Sequence, residues 1–260
     1  MKKLSFTLFC ASLLLAGTSL TSAQVIVSLN VGSNSVNTSD NAGVLNVNNW
    51  NNQTNAEFSA TNLTDSSGAT SDIGIAFGGA TGFGGIQPSD VGTDDGSGDW
   101  DMFSEGARVK ADTGSEVTTI TFTGLDGTSD IYIYLGQRSS NVNSTDLDLT
   151  LGSTTYYSST DGTADFYPGG FGRVTSTNAA SPDTNTWDNS AGTGNLFNYV
   201  LFENVSGSSA TVSLEASASF QPIISGVQVS TIPEPSTAVL LLGGLGLVMA
   251  NYRRRRARQA

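Results

Sequence analysis

The sequence predicts an all-β fold, a single β-sandwich of the jelly-roll kind over residues 24–230, and three observations carry that prediction. Apolar and polar residues alternate at period two in several short stretches. Clusters of Gly, Asn, Asp and Ser separate those stretches, which is turn chemistry. No part of the body sustains a 3.6-residue period. Length agrees, because all-β units often reach the size of this 260-residue chain as one domain.

Taken in chain order, Lys2 and Lys3 precede an apolar run over 4–16 and the small residues Thr21, Ser22 and Ala23. That is the pattern of a secretory signal peptide over 1–23, with cleavage between Ala23 and Gln24. "VIVSLNV" then sets Val25, Val27, Leu29 and Val31 on one face of a strand. "TITFTGL" pairs Ile120 with Phe122, and "DIYIYLG" sets Ile131, Ile133 and Leu135 against an outward Tyr132 and Tyr134. "DLDLTLG" turns Leu147, Leu149 and Leu151 inward and Asp146, Asp148 and Thr150 outward. "TVSLEASASF" alternates Val212, Leu214, Ala216, Ala218 and Phe220, and "SGVQV" closes the set with Val227 and Val229. The Gly-rich "TGFGGIQPSD" and "YPGGFGRV" do not lead from a strand into a helix, so they read as loops and not as phosphate cradles.

Composition excludes several chemistries. The one cysteine, Cys10, lies inside the signal, and there is no histidine. The mature chain therefore has no disulfide, no thiol nucleophile, no histidine base and none of the usual zinc ligands. The body holds four basic residues (Arg108, Lys110, Arg138 and Arg173) against 22 acidic ones, a net charge of −18. Such a surface repels nucleic acid and anionic lipid, and it suits a solvated extracellular protein.

Two sets of residues are candidates for binding. Trp50 in "NNWNN", Trp100 in "GDWDM" and Trp187 in "NTWDN" share a polar setting. An aromatic face can stack on a sugar ring while its Asn and Asp neighbours bond the hydroxyls, although large aromatics more often fill a core. "PSDVGTDDGSGDWD" gathers Asp94, Asp95, Asp99 and Asp101 around glycines. Close aspartates in a loop can supply oxygens to calcium, but the spacing is not that of an EF-hand, and a solvated acidic turn is the simpler reading. Asp99 and Asp101 would serve as two glycosidase carboxylates only if that segment were extended. Asn-x-Ser/Thr sites at Asn37, Asn52, Asn62, Asn143 and Asn204 are expected by chance in so Asn-, Ser- and Thr-rich a chain.

Residues 231–260 form a separate tail. Pro233, Glu234 and Pro235 hold an extended segment, because neither proline fits a helix interior or a central strand. Residues 236–252 carry no charge; as a helix they would span about 25 Å at ~1.5 Å per residue, short but usable against a bilayer core of about 30 Å. Arg253, Arg254, Arg255 and Arg256 follow within a basic cluster that ends at Arg258, and by the positive-inside rule they keep the C-terminus cytoplasmic. With an N-terminal signal, this puts the body outside the membrane.

Triplet, span and arginine cluster at the extreme C-terminus, behind a signal peptide, resemble the PEP-CTERM sorting signal of Gram-negative bacteria that make extracellular polysaccharide. The closing "ISGVQVSTIPEPS", with "GVLNVNNWNN" and "FSEGARVKAD", resembles parts of ectodomains in the same set, which look like carbohydrate-binding or galactose-binding-like sandwiches. The resemblance implies that secretion machinery exports the chain and that an exosortase-type membrane protease recognises Pro233, Glu234 and Pro235 and cuts nearby. The body then passes to the cell surface or the extracellular matrix. The expected role is structural or adhesive, non-enzymatic, without a cofactor, and associated with extracellular polysaccharide. The alternatives are a lectin-like module, calcium-dependent or not, and a two-carboxylate glycoside hydrolase.

Overall fold

A computed structural model describes residues 24–32, 35–80, 82–85, 96–109, 117–137, 145–160, 170–186, 191, 193–216 and 222–232. The chain divides into a unit over Val25–Ile232 and a second made of Met1–Gln24 with Pro233–Ala260. Apart from Gln24, the second unit lies outside the described residues. So do the expected signal peptide, the sorting triplet, the span 236–252 and the arginine cluster. Among the described residues no helix is long and apolar enough to cross a membrane.

The body is built from fifteen strands and one short helix among the described residues. They form two sheets in a sandwich-like arrangement, as the period-two stretches predict. The first sheet runs β11 (Arg173–Val174), β13 (Tyr199–Ser206), β8 (Thr128–Gln137), β15 (Pro222–Ile232), β1 (Val25–Val31) and β2 (Asn51–Gln53). β6 (Glu105–Arg108) also pairs with β15, and β5 (Phe83–Gly85) pairs with β6. The second sheet runs β12 (Asp183–Asn185), β10 (Thr154–Thr160), β9 (Thr145–Leu151), β14 (Ser209–Ala216), β7 (Thr118–Thr123), β4 (Gly74–Gly78) and β3 (Phe58–Ala60). The strands that end these two runs have only two or three residues. Such short edges offer little template for pairing with another chain.

Between the sheets lies the main apolar core. The first sheet contributes Leu29, Ile131, Ile133, Val227 and Val229, and the second contributes Phe77, Ile120, Phe122, Leu149 and Leu214, all buried. Apart from Phe77, these are the inward residues of the alternating stretches, so the hydrophobic pattern and the register agree there. The Gly-rich "TGFGGIQPSD", read as a loop, contains β5, and "YPGGFGRV" ends in β11. Both are short edge pairings that leave no apolar alternation to read.

A second apolar cluster covers the other face of the first sheet. Tyr132, Tyr134, Leu201 and Ile223 point away from the main core, yet they are buried. Their cover comes from the β1–β2 connection, through Val36, Ala42 and Trp50, and from helix α1 (Gly98–Phe103), through Met102 and Phe103. Ser97 caps α1 by accepting from Trp100 N–H at 3.2 Å, and Asp99 and Asp101 sit in its first turn, where negative charge suits the helix dipole.

Candidate functional site

The expected tryptophan sites separate in the structure. Trp50 is only 3% exposed. Its indole N–H donates to Val47 O at 2.9 Å, and its ring packs near Tyr134 at 6.3 Å between centroids. Its flanking amides are also committed to the fold: Asn51 Nδ2 donates to Ser28 O and Thr64 O, and Asn52 Oδ1 accepts from Val36 N–H. Asn46 and Asn49 have positive φ, a conformation asparagine tolerates better than most residues. The Asn-rich stretch is therefore turn and cover chemistry, and Trp50 presents no free face to a sugar. Trp100 is half-buried on α1 against the second cluster. Trp187 lies outside the described residues.

The aspartate loop divides in the same way. Asp94 and Asp95 lie outside the described residues. Asp99 and Asp101 are on α1, and helical residues two apart do not share a face. This corrects the extended arrangement that a carboxylate pair would require. Asp99 Oδ1 instead accepts from Gly43 N–H at 2.6 Å. Among the described residues no group of three or more acidic side chains could hold a metal ion.

Under the β1–β2 connection runs a buried polar chain. The Tyr134 hydroxyl accepts from Val44 N–H at 2.7 Å and donates to Gln228 Oε1. That oxygen also accepts from Leu45 N–H at 3.3 Å, while Gln228 Nε2 donates to Ser28 Oγ at 2.9 Å and Ala42 O at 3.5 Å. Burial pushes the Tyr134 phenol well above the ordinary tyrosine value, so it remains a neutral donor. Gly43 belongs to this arrangement: its φ is +77°, and a Cβ there would sit 2.5 Å from Gln228 Oε1. The chain fixes the cover and leaves nothing open for a ligand.

A groove of about 580 Å³ lies between the β9–β10 turn and the β13–β14 turn. Tyr156 and Phe202 form its apolar part, with ring centroids 5.2 Å apart at 63°. Glu203, Asn204, Ser153 and Ser209 supply polar atoms. Glu203 is 51% exposed and paired at 2.8 Å with Arg173. Hydrogen bonding to Glu203 raises the already high Arg173 value, so this cation stays charged. Among the described lining residues Glu203 is the one carboxylate. Sequence reading missed this groove because Tyr156 and Glu203 lie far apart in the chain and neither stands in a motif.

The two ends of the body meet at one place. β1 begins at Val25, two residues beyond the expected signal boundary, and β15 ends at Ile232, immediately before Pro233. Val25 lies opposite Thr231 in an antiparallel pair. Val25 N–H donates to Thr231 Oγ1 at 3.3 Å, and Thr231 Oγ1 also lies 3.4 Å from Val25 O, its acceptor. Both ends of the folded unit thus leave the first sheet side by side.

The PEP-CTERM protein-sorting motif matches residues 231–256. The chain carries that motif and is an exported protein of the kind sorted to the cell envelope, with an exosortase as the kind of enzyme that handles it. No curated protein matches the sequence. Among solved structures, a calcium-binding mutant of Bacteroides uniformis beta-glucuronidase 2 is similar at 13% identity and a TM-score of 0.42, over 80% of this chain and 18% of that one. The same enzyme covalently bound to cyclophellitol-6-carboxylate aziridine is similar at 12% identity and a TM-score of 0.42, over the same shares. The chain spans less than a fifth of that enzyme's length.

Proposed function

We propose that the protein is a non-enzymatic structural or adhesive component of the cell surface or extracellular matrix, associated with exopolysaccharide. Its signal peptide starts export. Residues 236–252 then hold it in the cytoplasmic membrane, with Arg253, Arg254, Arg255 and Arg256 inside, until an exosortase-type protease removes the tail near Pro233, Glu234 and Pro235. One observation carries the reading: the last strand in the chain, β15, runs directly into the matched sorting motif beside the start of β1. A globule whose two ends leave together can be tethered at that point and released by a single cut. Mass spectrometry of protein from medium, envelope and matrix tests this. A mature C-terminus close to Pro233 is expected, and an intact Ala260 in the matrix fraction defeats the reading.

The groove favours a second reading, a carbohydrate-binding sandwich of the jelly-roll kind. Tyr156 offers an aromatic surface, and Glu203, Asn204 and the serines offer hydroxyl partners, the mix of apolar wall and few polar groups that small-ligand sites use. Retention on the organism's own polysaccharide in affinity electrophoresis is expected to fall in Glu203→Gln while the melting temperature holds. Unchanged retention removes the groove from the account. Calcium remains a proposal for the aspartates Asp94, Asp95, Asp99 and Asp101.

A further inference from the structure

We infer that the Arg173–Glu203 ion pair makes the groove selective for uncharged sugar chains, so that the polysaccharide it takes is a neutral one, without uronate or amino groups. This rests on the carbohydrate-binding reading of the groove above and adds the chemical class of its ligand.

A bulge in β13 builds the polar side of the groove. The pairing of β13 with β8 runs to Phe202↔Ile131 and resumes, shifted, at Val205↔Ser129. Glu203 and Asn204 therefore lie opposite the single Asp130. Asn204 has a φ of 57°, and its N–H donates to Asp130 Oδ1 at 2.9 Å. In an unbroken strand, successive side chains point to opposite faces. Here Phe202, Glu203, Asn204 and Val205 all line one groove, the re-aiming that a bulge allows.

The carboxylate in this bulge does not stand alone. Arg173, on β11, donates from Nη2 to Glu203 Oε2 at 2.8 Å and to Leu201 O at 3.3 Å. The pair carries no net charge, and among the described residues no other charged side chain lines the groove. With Oε2 held by Arg173, Oε1 is the carboxylate oxygen that can accept a ligand hydroxyl. The Asn204 amide and the Ser153 and Ser209 hydroxyls can each donate or accept. A ligand carboxylate would instead meet Glu203 while the neighbouring cation is already paired, on a body of net charge −18. A ligand ammonium would compete with Arg173 for the same carboxylate. A hydroxyl faces neither penalty. The side chains of Arg173 and Glu203 are 29% and 51% exposed, and so open a pair adds little to stability. Both groups are within reach of a ligand, so removing one uncovers the charge of the other.

The test runs the full chain, purified in detergent, through native affinity gels. The gels contain the organism's own exopolysaccharide, split by ion exchange into neutral, acidic and basic pools. Wild type is expected to be retained by the neutral pool, with little change as salt rises. Glu203→Gln uncovers Arg173, so retention on the neutral pool should fall several-fold while retention on the acidic pool rises at low salt. Arg173→Gln uncovers Glu203 and should raise retention on the basic pool. The double variant should lose both gains, which a loosened fold would not reproduce. If Arg173→Gln does not fold, the Glu203→Gln arm decides alone. Strongest wild-type retention on a charged pool, abolished in Glu203→Gln, overturns the neutral class but keeps the groove. A Glu203→Gln variant that gains nothing on the acidic pool also overturns the inference. Retention on the neutral pool that Glu203→Gln leaves unchanged, or retention on no pool, defeats the groove reading instead, and its selectivity with it.

Discussion

The two sheets share one core but differ on their outer faces. On the second sheet, Thr121, Thr150, Thr155, Thr211 and Glu215 face outward and are exposed or half-exposed. Thr121 and Thr211 lie opposite each other with hydroxyls 3.3 Å apart, and Thr150 and Thr155 likewise at 2.9 Å. On the first sheet the equivalent outward positions hold Ser28, Tyr132, Tyr134 and Gln228, all buried beneath the β1–β2 connection and α1. Alternation in the sequence is thus the same signal on both sheets, but it has two meanings. On one sheet the polar partner meets water, and on the other it meets a second layer of protein. The covered sheet is also the one that holds β1 and β15, so the extra layer lies over the strands that lead to both chain ends.

The largest expected effect tests that difference directly. Tyr134→Ala removes a fully buried ring that touches Phe103, Phe171 and Tyr199, and it strips Val44 N–H of its acceptor. A loss of about 3–5 kcal/mol is expected, as for other large core aromatics. Thr211→Ala, at an outward position of the other sheet, should stay within about 0.5 kcal/mol of wild type. Urea unfolding of the two variants measures both values. Similar losses would mean that the outer faces do not differ in the way described.

A smaller effect is expected at Gln228. Its side-chain amide bonds Tyr134, Leu45, Ser28 and Ala42. Gln228→Leu keeps much of the volume but leaves those buried groups without it, which costs about 1–3 kcal/mol. The urea midpoint should fall with the slope unchanged, because the sheet still forms. A neutral substitution would show that apolar packing alone holds the cover.

The same contrast explains what could be read from the sequence. β1, β7, β8, β9, β14 and β15 all appear as alternating stretches, with Leu147, Leu149 and Leu151 the clearest case. β13 was missed because "YVLF" buries residues on both faces and does not alternate. β10, "TTYYSST", was missed because Ser158, Ser159 and Thr160 are buried polar residues at a sheet end. Strands of two or three residues carry no period at all. α1 is too short for one, although Ser97 followed by Asp99 and Asp101 is a legible helix start. Trp50 could not be placed, because a tryptophan among asparagines looks alike whether the amides bond backbone or ligand. Nor does any local pattern say that "VIVSLNV" lies beside "VQVST", and this pairing brings the two ends of the folded unit together.

The smallest expected effect lies on the open sheet and concerns charge. Glu215 is opposite Asp148 in the β14–β9 register, and like charges in that position oppose pairing. Burial, then Glu215, then Asp146 raise the Asp148 carboxyl above its ordinary value. The folded state therefore binds that proton more readily than the unfolded chain does. Stability should rise as pH falls from above the raised Asp148 value towards the ordinary aspartate value. Asp65 works the other way. Burial acts upward on it, but hydrogen bonds from the Ser67 side chain and from the Ala69, Ser67 and Gly68 backbone lower its value, so its contribution is lost as pH falls. Glu215→Gln isolates the first term, because Asp65 is common to both proteins. The variant should be more stable than wild type by about 0.2–1 kcal/mol near neutral pH, with the gain shrinking towards zero once Asp148 is protonated. A gain that stays constant across a pH series of urea titrations would trace the effect to packing and not to facing carboxylates. That result would leave the open face as indifferent to charge as the covered face is sensitive to shape.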